Sequence, residues 1–493
     1  MDLLGTTAFL LISLCCLFLL AAWRKGTQRK NLPPGPTPLP IIGNLLQLKA
    51  TNIAASLKKM SEKYGPVFTV YFGSDQAVIL YGYDVVKEVL VDRGEEFTYR
   101  GSVPSADKTN RGLGVLMSNG KRWVELRRFS ITTLRNFGMG KKSTEEHIQE
   151  EAEHLMKELQ AKKGQPFNPA LLFSCATGNV ISRILLGERF DYQDPKYLQI
   201  LRFLIQAFRL ESSVNGQLYN FFPRIMDYLP GPHQTFFKSL SSIQEFISQK
   251  IKEHEKSLDI NAPRDFIDSF LIKMEQEKHN SKTEFTRENL MMTGYDIFIA
   301  GTETTSTTLR SILMILVEHP AVQAKIHKEI DQVIGRERAP SMKDRTGMPY
   351  TEAAIHEAQR FMDLIPLGFT RMVKQDFEIR GFTIPKGATL YPILSSALHD
   401  PKQYKNPYQF DPEHFLDERG AFKKNGADIP FSAGKRNCLG EGLARMQLFL
   451  YVTTILQSFW LKRPPGVTKI DLTPEVSGLG NIPHQIPFCF SPR

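Results

Sequence analysis

The chain has 493 residues, of which 42% are hydrophobic and 23% charged, and its formal net charge is +10. These proportions are typical of a globular protein, and the length alone suggests about three domains. No zinc-finger spacing and no RNA-binding aromatic motif accompanies the positive charge, which argues against a nucleic-acid partner. The five cysteines are an odd number without disulfide or zinc spacing, so the main body is expected in a reducing compartment.

The first predicted element is an uncharged apolar segment from Leu3 to Trp23. It is long enough to cross a bilayer, which takes about 20 residues. Basic residues follow from Arg24 to Lys30, and because positive charge stays cytosolic, the body is expected in the cytosol. A cleaved secretory signal peptide is the alternative, but no basic residue precedes the apolar segment. Residues 1–23 are therefore predicted to be a transmembrane signal-anchor.

A proline-rich segment, Pro33 to Pro40, comes next. Prolines fix φ and favour an extended, semi-rigid chain, which would hold the body at a set angle to the membrane. An ordinary proline-rich linker would have the same composition. We assign residues 24–40 to a basic and proline-rich hinge and residues 41–493 to the folded body.

Within the body, short strands are expected at 64–83 and 361–412, where β-branched and aromatic residues alternate with glycine and proline. Helical periodicity dominates from 118 to 337, with Thr286 as one candidate N-cap. An apolar helix is expected at 442–460. The predicted class is mainly α with a smaller β-rich part.

The helix expected at 294–316 contains two small residues, Ala300 and Gly301, that would leave room beside a flat cofactor. Ala300 and Thr304 are four residues apart and share a face. The Thr304 hydroxyl can bond the carbonyl of Ala300, or release it and open a kink that holds water. Taken alone, the segment is also compatible with an ordinary helix carrying polar threonines.

Glu357 and Arg360 are three residues apart, so their charges meet on one helix face. Such a pair is most often solvated and contributes less than about 1 kcal/mol.

The most specific motif is the glycine-rich loop from Phe431 to Gly440, in which Arg436 stands two residues before Cys438. A thiolate at Cys438 would be a soft metal ligand, and the permanent charge of Arg436 suits a carboxylate or propionate. A buried free cysteine after a turn is the alternative.

The loop matches the haem-binding signature Phe-x-x-Gly-x-Arg-x-Cys-x-Gly at every fixed position, so the chain resembles the cytochrome P450 superfamily of haem-thiolate monooxygenases. The apolar N-terminus and the motifs at 300–310, 351–360 and 430–445 are similar to those of its microsomal family 2. The resemblance implies one cytochrome P450 catalytic domain at 41–493 rather than three domains. It also implies a mainly α fold with a β-rich subdomain near the N-terminus, preceded by a single transmembrane helix.

The resemblance further implies haem b as the cofactor, with Cys438 as the axial iron ligand. Residues expected to hold the haem propionates are Trp123, Arg127 and Arg436, and also Arg100 and Arg371. In catalysis, Thr304 would hydrogen-bond bound dioxygen, and Glu303 would be the acid end of a water relay that delivers protons.

Glu357 and Arg360 would belong to a buried triad whose third member here is His414, where many relatives carry arginine. The charge of this third partner would therefore depend on pH. By position, the substrate pocket would be lined by apolar residues, as expected for lipophilic ligands. These are Val115, Leu116, Ile299, Ala300, Ile365, Phe369 and Leu479.

The expected partners are an NADPH-dependent flavoprotein reductase, which makes NADPH an indirect cofactor, and cytochrome b5. A basic surface would receive these acidic donors, although a charge run is also typical of any solvated face. Its predicted residues are Lys121, Arg128, Arg135, Lys141 and Lys435. An apolar loop at 218–223 would dip into the endoplasmic reticulum membrane from the cytosolic side.

The expected reaction is insertion of one oxygen atom of O2 into xenobiotics, steroids or fatty acids such as arachidonate. A haem-thiolate isomerase that rearranges peroxides without a reductase is one alternative, and a membrane-tethered haem sensor is another. The sequence leaves the substrate, the position of attack on it and the oligomeric state open.

Overall fold

The computed structural model describes residues 3–27, 32–49, 51–137 and 142–493, and within its first helix it describes side chains at 5–18. The α-helices are Leu3–Thr27 (α1), Ile53–Tyr64 (α2), Tyr83–Lys87 (α3), Pro104–Asn110 (α4), Gly120–Asn136 (α5), Lys142–Ala161 (α6), Ala170–Leu186 (α7), Pro195–Ser212 (α8), Val214–Phe221 (α9), Pro223–Met226 (α10), Pro232–Ser257 (α11), Phe266–Gln276 (α12), Arg287–Glu318 (α13), Pro320–Val333 (α14), Pro349–Met362 (α15), Leu394–Leu398 (α16) and Glu441–Ser458 (α17). A π-helix spans Glu88–Asp92, and 3-10 helices span Leu45–Gln47, Asp344–Gly347, Pro412–Phe415 and Gly434–Arg436.

Helix α13 is the central element of the helical core and is buried over most of its length. The predicted cap is confirmed, because the Thr286 side chain accepts a hydrogen bond from the backbone N–H of Asn289 at 3.3 Å. Glycines let α7 approach α13 closely. A Cβ at Gly301 would lie 2.4 Å from the Ile181 side chain, and one at Gly178 would lie 3.2 Å from that of Thr302. Larger residues at these glycines would push the two helices apart.

The strands form small sheets, so the predicted mainly α class with a smaller β part is confirmed. The largest sheet has the order β1-β2-β6-β3, in which β2 and β6 are parallel and the other neighbours antiparallel. Its first hairpin lies at the predicted position near the N-terminus. The strands are Val67–Phe72 (β1), Asp75–Leu80 (β2), Arg371–Met372 (β3), Phe377–Ile379 (β4), Phe382–Ile384 (β5), Thr389–Pro392 (β6), Phe459–Lys462 (β7), Pro474–Ser477 (β8), Asn481–Pro483 (β9) and Cys489–Pro492 (β10).

Two local expectations need correction. The apolar segment expected as a loop at 218–223 forms the end of α9 and the start of α10, and the Ser213 side chain caps α9 by accepting from Gly216 N. The helix expected to reach residue 460 ends at Ser458, because the chain turns extended at Phe459 and pairs with β10.

Residues 3–23 of the predicted signal-anchor lie in α1, whose side chains from Phe9 to Leu11 are more than half exposed, and residues 1 and 2 lie outside the described part of the chain. Among the described residues, no helix combines the length and the apolar character needed to span a membrane. In the predicted hinge, residues 28–31 lie outside the described part of the chain.

Candidate functional site

The loop that carries Cys438 is held in place by a close backbone contact. Gly434 has a φ of +74°, and a Cβ there would lie only 1.6 Å from the carbonyl oxygen of Leu90 in the π-helix. Only glycine fits this position. The Cys438 N–H then donates to the Phe431 carbonyl at 2.9 Å, which closes the loop just before α17 begins.

Cys438 is accessible at its surface although protein groups surround it densely. Burial and the charge of the Glu441 carboxylate raise the pKa of the Cys438 thiol, while backbone N–H groups of Gly440 and Glu441 and the charge of Arg127 act in the opposite direction. The Cys438 thiol can thus be reached by a ligand although protein groups surround it. Groups that favour its thiolate already point at it, as a thiolate metal ligand requires.

Helix α13 presents an open face in its middle. Ala300 is exposed, although Phe298 and Thr302 close to it are buried. The Thr304 hydroxyl donates to the Ala300 carbonyl at 2.6 Å, the bond expected from the sequence. Ala300 is therefore open to a space beside α13, which we call the cleft.

A chain of contacts joins this helix face to the cysteine loop. Asp296 lies one turn before Ala300 on the same face, and its Oδ2 accepts from the N–H of Val115 at 2.8 Å and of Leu116 at 2.9 Å. The Leu116 carbonyl in turn accepts from Arg436 at 3.3 Å, two residues before Cys438. These contacts connect the turn of α13 before Ala300 to the loop that carries Cys438.

Asp296 is a functional candidate that the sequence analysis missed. It is 1% exposed, its Oδ1 also accepts from Asn110 at 2.8 Å, and burial raises its pKa to about 7. It fixes the segment 110–116, which carries two of the predicted pocket residues. A carboxylate between apolar and aromatic neighbours, one turn before Ala300, was the available signal.

Arg436 is held as a rigid, buried cation. It is 4% exposed, donates to the carbonyls of Thr98, at 2.8 Å, and of Ser118, and lies over the Trp123 ring at 4.1 Å. Burial, together with the charges of Arg371 and Arg127, lowers its pKa to about 8. The charge of this guanidinium is therefore poorly compensated by the protein.

The other predicted propionate ligands surround it. Arg371 is buried, its pKa is lowered to about 10 by burial, and it donates to the carbonyl of Phe369 at 3.0 Å. Arg100 donates to the Leu116 carbonyl at 3.2 Å through Nε, while its Nη1 has no partner among the described residues. Arg127 donates to the Asn437 carbonyl at 2.9 Å.

These arginines find carbonyls and asparagine oxygens as partners within the described chain, and no carboxylate among them. The buried Trp123 Nε1 also lacks a partner among the described residues. Buried donors and uncompensated charges are costly. An anionic group with several acceptor oxygens would satisfy them, so this cluster and the thiol of Cys438 fit a haem with its two propionates.

We expect Trp123→Phe to speed loss of haem from the protein by about tenfold or more. Phenylalanine keeps an aromatic ring beside Arg436 but removes the N–H, and a hydrogen bond to a charged group contributes about 1.5–3 kcal/mol. Transfer of haem to an excess of an acceptor protein measures the rate. Trp460→Phe, which changes a ring packed against His327, is the matched control. Equal rates for the two variants would remove Trp123 from the haem site.

The predicted triad residues lie together. Arg360 and Glu357 are fully buried and form two hydrogen bonds of 2.7 Å, and His414 Nδ1 lies 3.2 Å from Glu357 Oε1. Burial opposes protonation of His414, but the hydrogen bond and charge of Glu357 outweigh it, so its pKa is raised. Arg360 also donates to the carbonyls of Leu398 and Pro407, at 2.8 and 2.7 Å, and so ties α15 to the segment that leads to the cysteine loop.

Glu303 and Thr304 are neighbours in sequence, but their functional groups are not in contact. The Glu303 carboxylate is buried towards α7 and accepts from Ser174 at 3.2 Å, from Thr307 at 3.0 Å and from Ser306 at 3.3 Å. Burial raises its pKa. The acid of the predicted proton relay therefore faces α7 and has no direct contact with the Thr304 hydroxyl.

The predicted pocket residues come from four segments. Phe369 lies 5.0 Å from the Arg100 guanidinium, and Leu479 is carried by a tight turn in which Gly480 N donates to Ser212 Oγ at 3.0 Å. All the predicted pocket residues other than Ala300 are half-buried, namely Val115, Leu116, Ile299, Ile365, Phe369 and Leu479.

Of the predicted basic surface, Arg128 and Arg135 are exposed on α5. Lys435 and Lys121 are exposed too, and they pair with Glu95 at 2.6 Å and Glu125 at 3.3 Å. Lys141 lies outside the described residues.

Comparison with known proteins gives a family match over nearly the whole chain. The family model described as cytochrome P450 matches residues 33–490. Cytochrome P450 2C23 of Rattus norvegicus is 52% identical, with 100% of both chains covered. Cytochrome P450 2C11 of the same species is 53% identical, covering 98% of this chain and 97% of its own length. Cytochrome P450 2C8 of Homo sapiens is 51% identical, with 98% and 99% covered.

Proposed function

Because this chain belongs to the cytochrome P450 family, we propose that it hydroxylates or epoxidises lipophilic molecules with electrons that reach it from NADPH through a flavoprotein reductase. As a member of this family, the chain is a haem-thiolate monooxygenase, which is an oxidoreductase with haem as its cofactor. The observation that carries the proposal is the accessible Cys438 thiol beside buried arginines that lack a carboxylate partner.

The haem, when bound, supplies the activation of dioxygen. The chain provides the rest of the site. Cys438 would hold the iron, while Trp123, Arg127 and Arg436, with Arg100 and Arg371, would hold the propionates. Asp296 keeps the segment with Val115 and Leu116 against α13, which gives the substrate pocket a fixed wall.

The Thr304 hydroxyl would donate a hydrogen bond, and pass on a proton, at the cleft. Its hydroxyl now donates to the Ala300 carbonyl at 2.6 Å, and release of that bond would free a donor towards the cleft. Glu303, whose pKa is raised by burial, would be the store from which the proton is replaced. Movement of a proton between them needs rotation of the Glu303 side chain or an intervening water.

We expect Thr304→Ala to lower product formed per NADPH consumed by about tenfold or more, since positioned proton transfer contributes about 10²–10⁴-fold. Reducing equivalents would then be released as peroxide, which can be measured beside NADPH oxidation. Thr308→Ala is the matched control, because its hydroxyl makes the same bond to the carbonyl four residues earlier, at 2.7 Å, one turn further along α13. Unchanged coupling in Thr304→Ala would end the proposed role.

Electrons would arrive at the basic surface formed by Lys121, Arg128, Arg135 and Lys435, with Lys141 as a further predicted member. Long-range attraction between this surface and an acidic flavoprotein, or cytochrome b5, fits the net charge of +10. The exposed side chains of Arg128 and Arg135, which lie on the same helix as Arg127 and Trp123, support this assignment.

We further propose residence in the endoplasmic reticulum membrane, with residues 1–23 as the signal-anchor and the catalytic domain on the cytosolic side. Exposed apolar side chains in α1 support an apolar environment there. The exposed Ile225, Tyr228 and Leu229, which follow α9, would form a second membrane contact.

The substrates would be xenobiotics, steroids or fatty acids such as arachidonate, in keeping with the apolar residues predicted for the pocket. A panel of such compounds, incubated with reductase and NADPH and analysed by mass spectrometry, tests the proposal. Substrate-dependent NADPH consumption with an oxygenated product is the expected result. Rearrangement of peroxides without NADPH would indicate the isomerase, and haem binding without any turnover would indicate the sensor.

A further inference from the structure

Arg310 is a buried cation with no assigned role. It lies on α13, two turns after Glu303, and is 4% exposed. Its Nε and Nη1 have no hydrogen-bond partner among the described residues. Burial lowers its pKa, while the charges of Glu303 and Glu475 favour the cation and that of Arg209 opposes it. Two unsatisfied donors on a buried charge are costly unless another group accepts from them.

A small cavity supplies the space for that group. Its volume is about 10 Å³, and it is lined by Glu303, Ser306, Thr307 and Arg310 of α13 together with residues of α7, α8 and the segment after β8. This is near the smallest cavity volume that holds one water molecule, about 10–15 Å³, and the lining offers the two to four polar partners that a buried water requires.

The same cavity is bordered by a group that reaches solvent. Arg209 of α8 lines it and forms an ion pair with Glu475 of β8, Nη1 donating to Oε2 at 2.9 Å. The side chains of this pair are 34% and 30% exposed. The groups that face Glu303 are thus Ser174 of α7, Ser306, Thr307 and Arg310 of its own helix, with Arg209 and Glu475 further out.

We propose that Arg310 is a positioning residue that holds a water in this cavity, and that this water returns protons from solvent to Glu303. The inference rests on the proposed function of Glu303 and deepens it. For each proton that Glu303 gives up towards the Thr304 side of α13, Glu303 takes one proton from the water. The water in turn takes one proton from solvent, along a path past Arg209 and Glu475. Arg310 donates a hydrogen bond to the water oxygen. The lone pair of the water that accepts this bond points away from Glu303, so a water hydrogen faces the Glu303 carboxylate.

This arrangement gives the Glu303 carboxylate, which faces α7, a route to solvent protons. Its hydroxyl partners, Ser174, Ser306 and Thr307, can hold it in either protonation state, because a hydroxyl both donates and accepts. Burial raises the pKa of the Glu303 carboxyl, and the charge of Arg310 acts in the opposite direction.

The variants Arg310→Met and Arg310→Lys test the proposal in the full-length, haem-loaded protein. Methionine removes both donors, while lysine keeps a charge that can still donate to a water. Arg463→Met is the matched control, since Arg463 pairs with Glu318 at the far end of α13. The first readout needs no turnover: the infrared band of the protonated carboxyl, assigned by its loss in Glu303→Gln, is followed as a function of pH.

We expect Arg310→Met to move the pH midpoint of this band upward by about one unit or more, because a neighbouring opposite charge favours the ionised form. With reductase and NADPH, it should also raise the solvent deuterium isotope effect on product formation at least twofold. Arg310→Lys should have a pH midpoint and an isotope effect close to those of the wild type, and Arg463→Met should change neither quantity.

An unchanged band and isotope effect in folded Arg310→Met would overturn the proposal, as would a dry cavity in a high-resolution crystal structure of the wild type. If Arg310→Met does not fold, failure of Arg310→Lys to retain the wild-type band and isotope effect would overturn it equally. Loss of NADPH-driven product in the wild type itself would instead contradict the proposed function.

Discussion

Replacement of Cys438 by serine is expected to abolish oxygenation and the red-shifted absorption band of the ferrous carbon monoxide complex. A serine hydroxyl remains protonated at neutral pH and cannot supply the soft, electron-rich sulfur that favours O–O cleavage. The surrounding cations, including Arg436, are untouched, so haem itself can still bind through its propionates. The absorption spectrum of the purified variant therefore separates loss of the thiolate from loss of the cofactor.

The chain offers two matched controls among its buried cysteines. Cys175 and Cys489 are both buried, whereas Cys438 is accessible, so neither of these two thiols can be reached by a haem. Cys175→Ser and Cys489→Ser should keep the band. Survival of the band in Cys438→Ser would show that another residue holds the iron.

The second large effect is expected for Arg360→Leu, which should destabilise the fold by about 3–5 kcal/mol. Removal of one partner of a fully buried ion pair leaves the charge of the other uncompensated. Here the carboxylate of Glu357 would keep only His414 and the N–H of Asp411, which donates at 2.9 Å. The variant would also lose the bonds from Arg360 to the carbonyls of Leu398 and Pro407. Urea unfolding followed by circular dichroism measures the change.

Arg463→Leu is the control for this measurement, because Arg463 also forms a 2.6 Å ion pair, with Glu318, but its side chain is 36% exposed. Pairs near the surface contribute about 1 kcal/mol or less. The double variant Glu357→Leu with Arg360→Leu should be more stable than Arg360→Leu alone, since no buried charge remains. Equal losses in Arg360→Leu and Arg463→Leu would refute the structural role assigned to the triad.

The sequence predicts the general fold from composition and periodicity, and it predicts the cysteine loop from a specific motif. A loop with glycine at 434 and cysteine at 438 is specific because Gly434 has no room for a side chain beside Leu90. Composition and periodicity predicted a mainly helical body, and the family match confirms the resemblance. The cation cluster around Arg436 was predicted from the resemblance rather than from the residues, since an isolated arginine is usually exposed.

The functional features that the sequence did not predict depend on tertiary contacts. Asp296 gains its importance from backbone N–H groups of Val115 and Leu116, which lie far away in sequence. In the sequence, Arg310 resembles an arginine on a helix surface, but in the fold α8 and the segment after β8 cover it. The orientation of Glu303 towards α7 depends on Ser174, which no local pattern connects with it.

The most direct test of the account uses isotopically heavy dioxygen with the full-length chain, reductase, NADPH and a panel of lipophilic compounds. We predict that each product molecule carries one heavy oxygen atom and that NADPH is consumed with its formation. Products that form without NADPH, or that contain oxygen only from water or from a peroxide substrate, would contradict a monooxygenase built on the Cys438 thiolate.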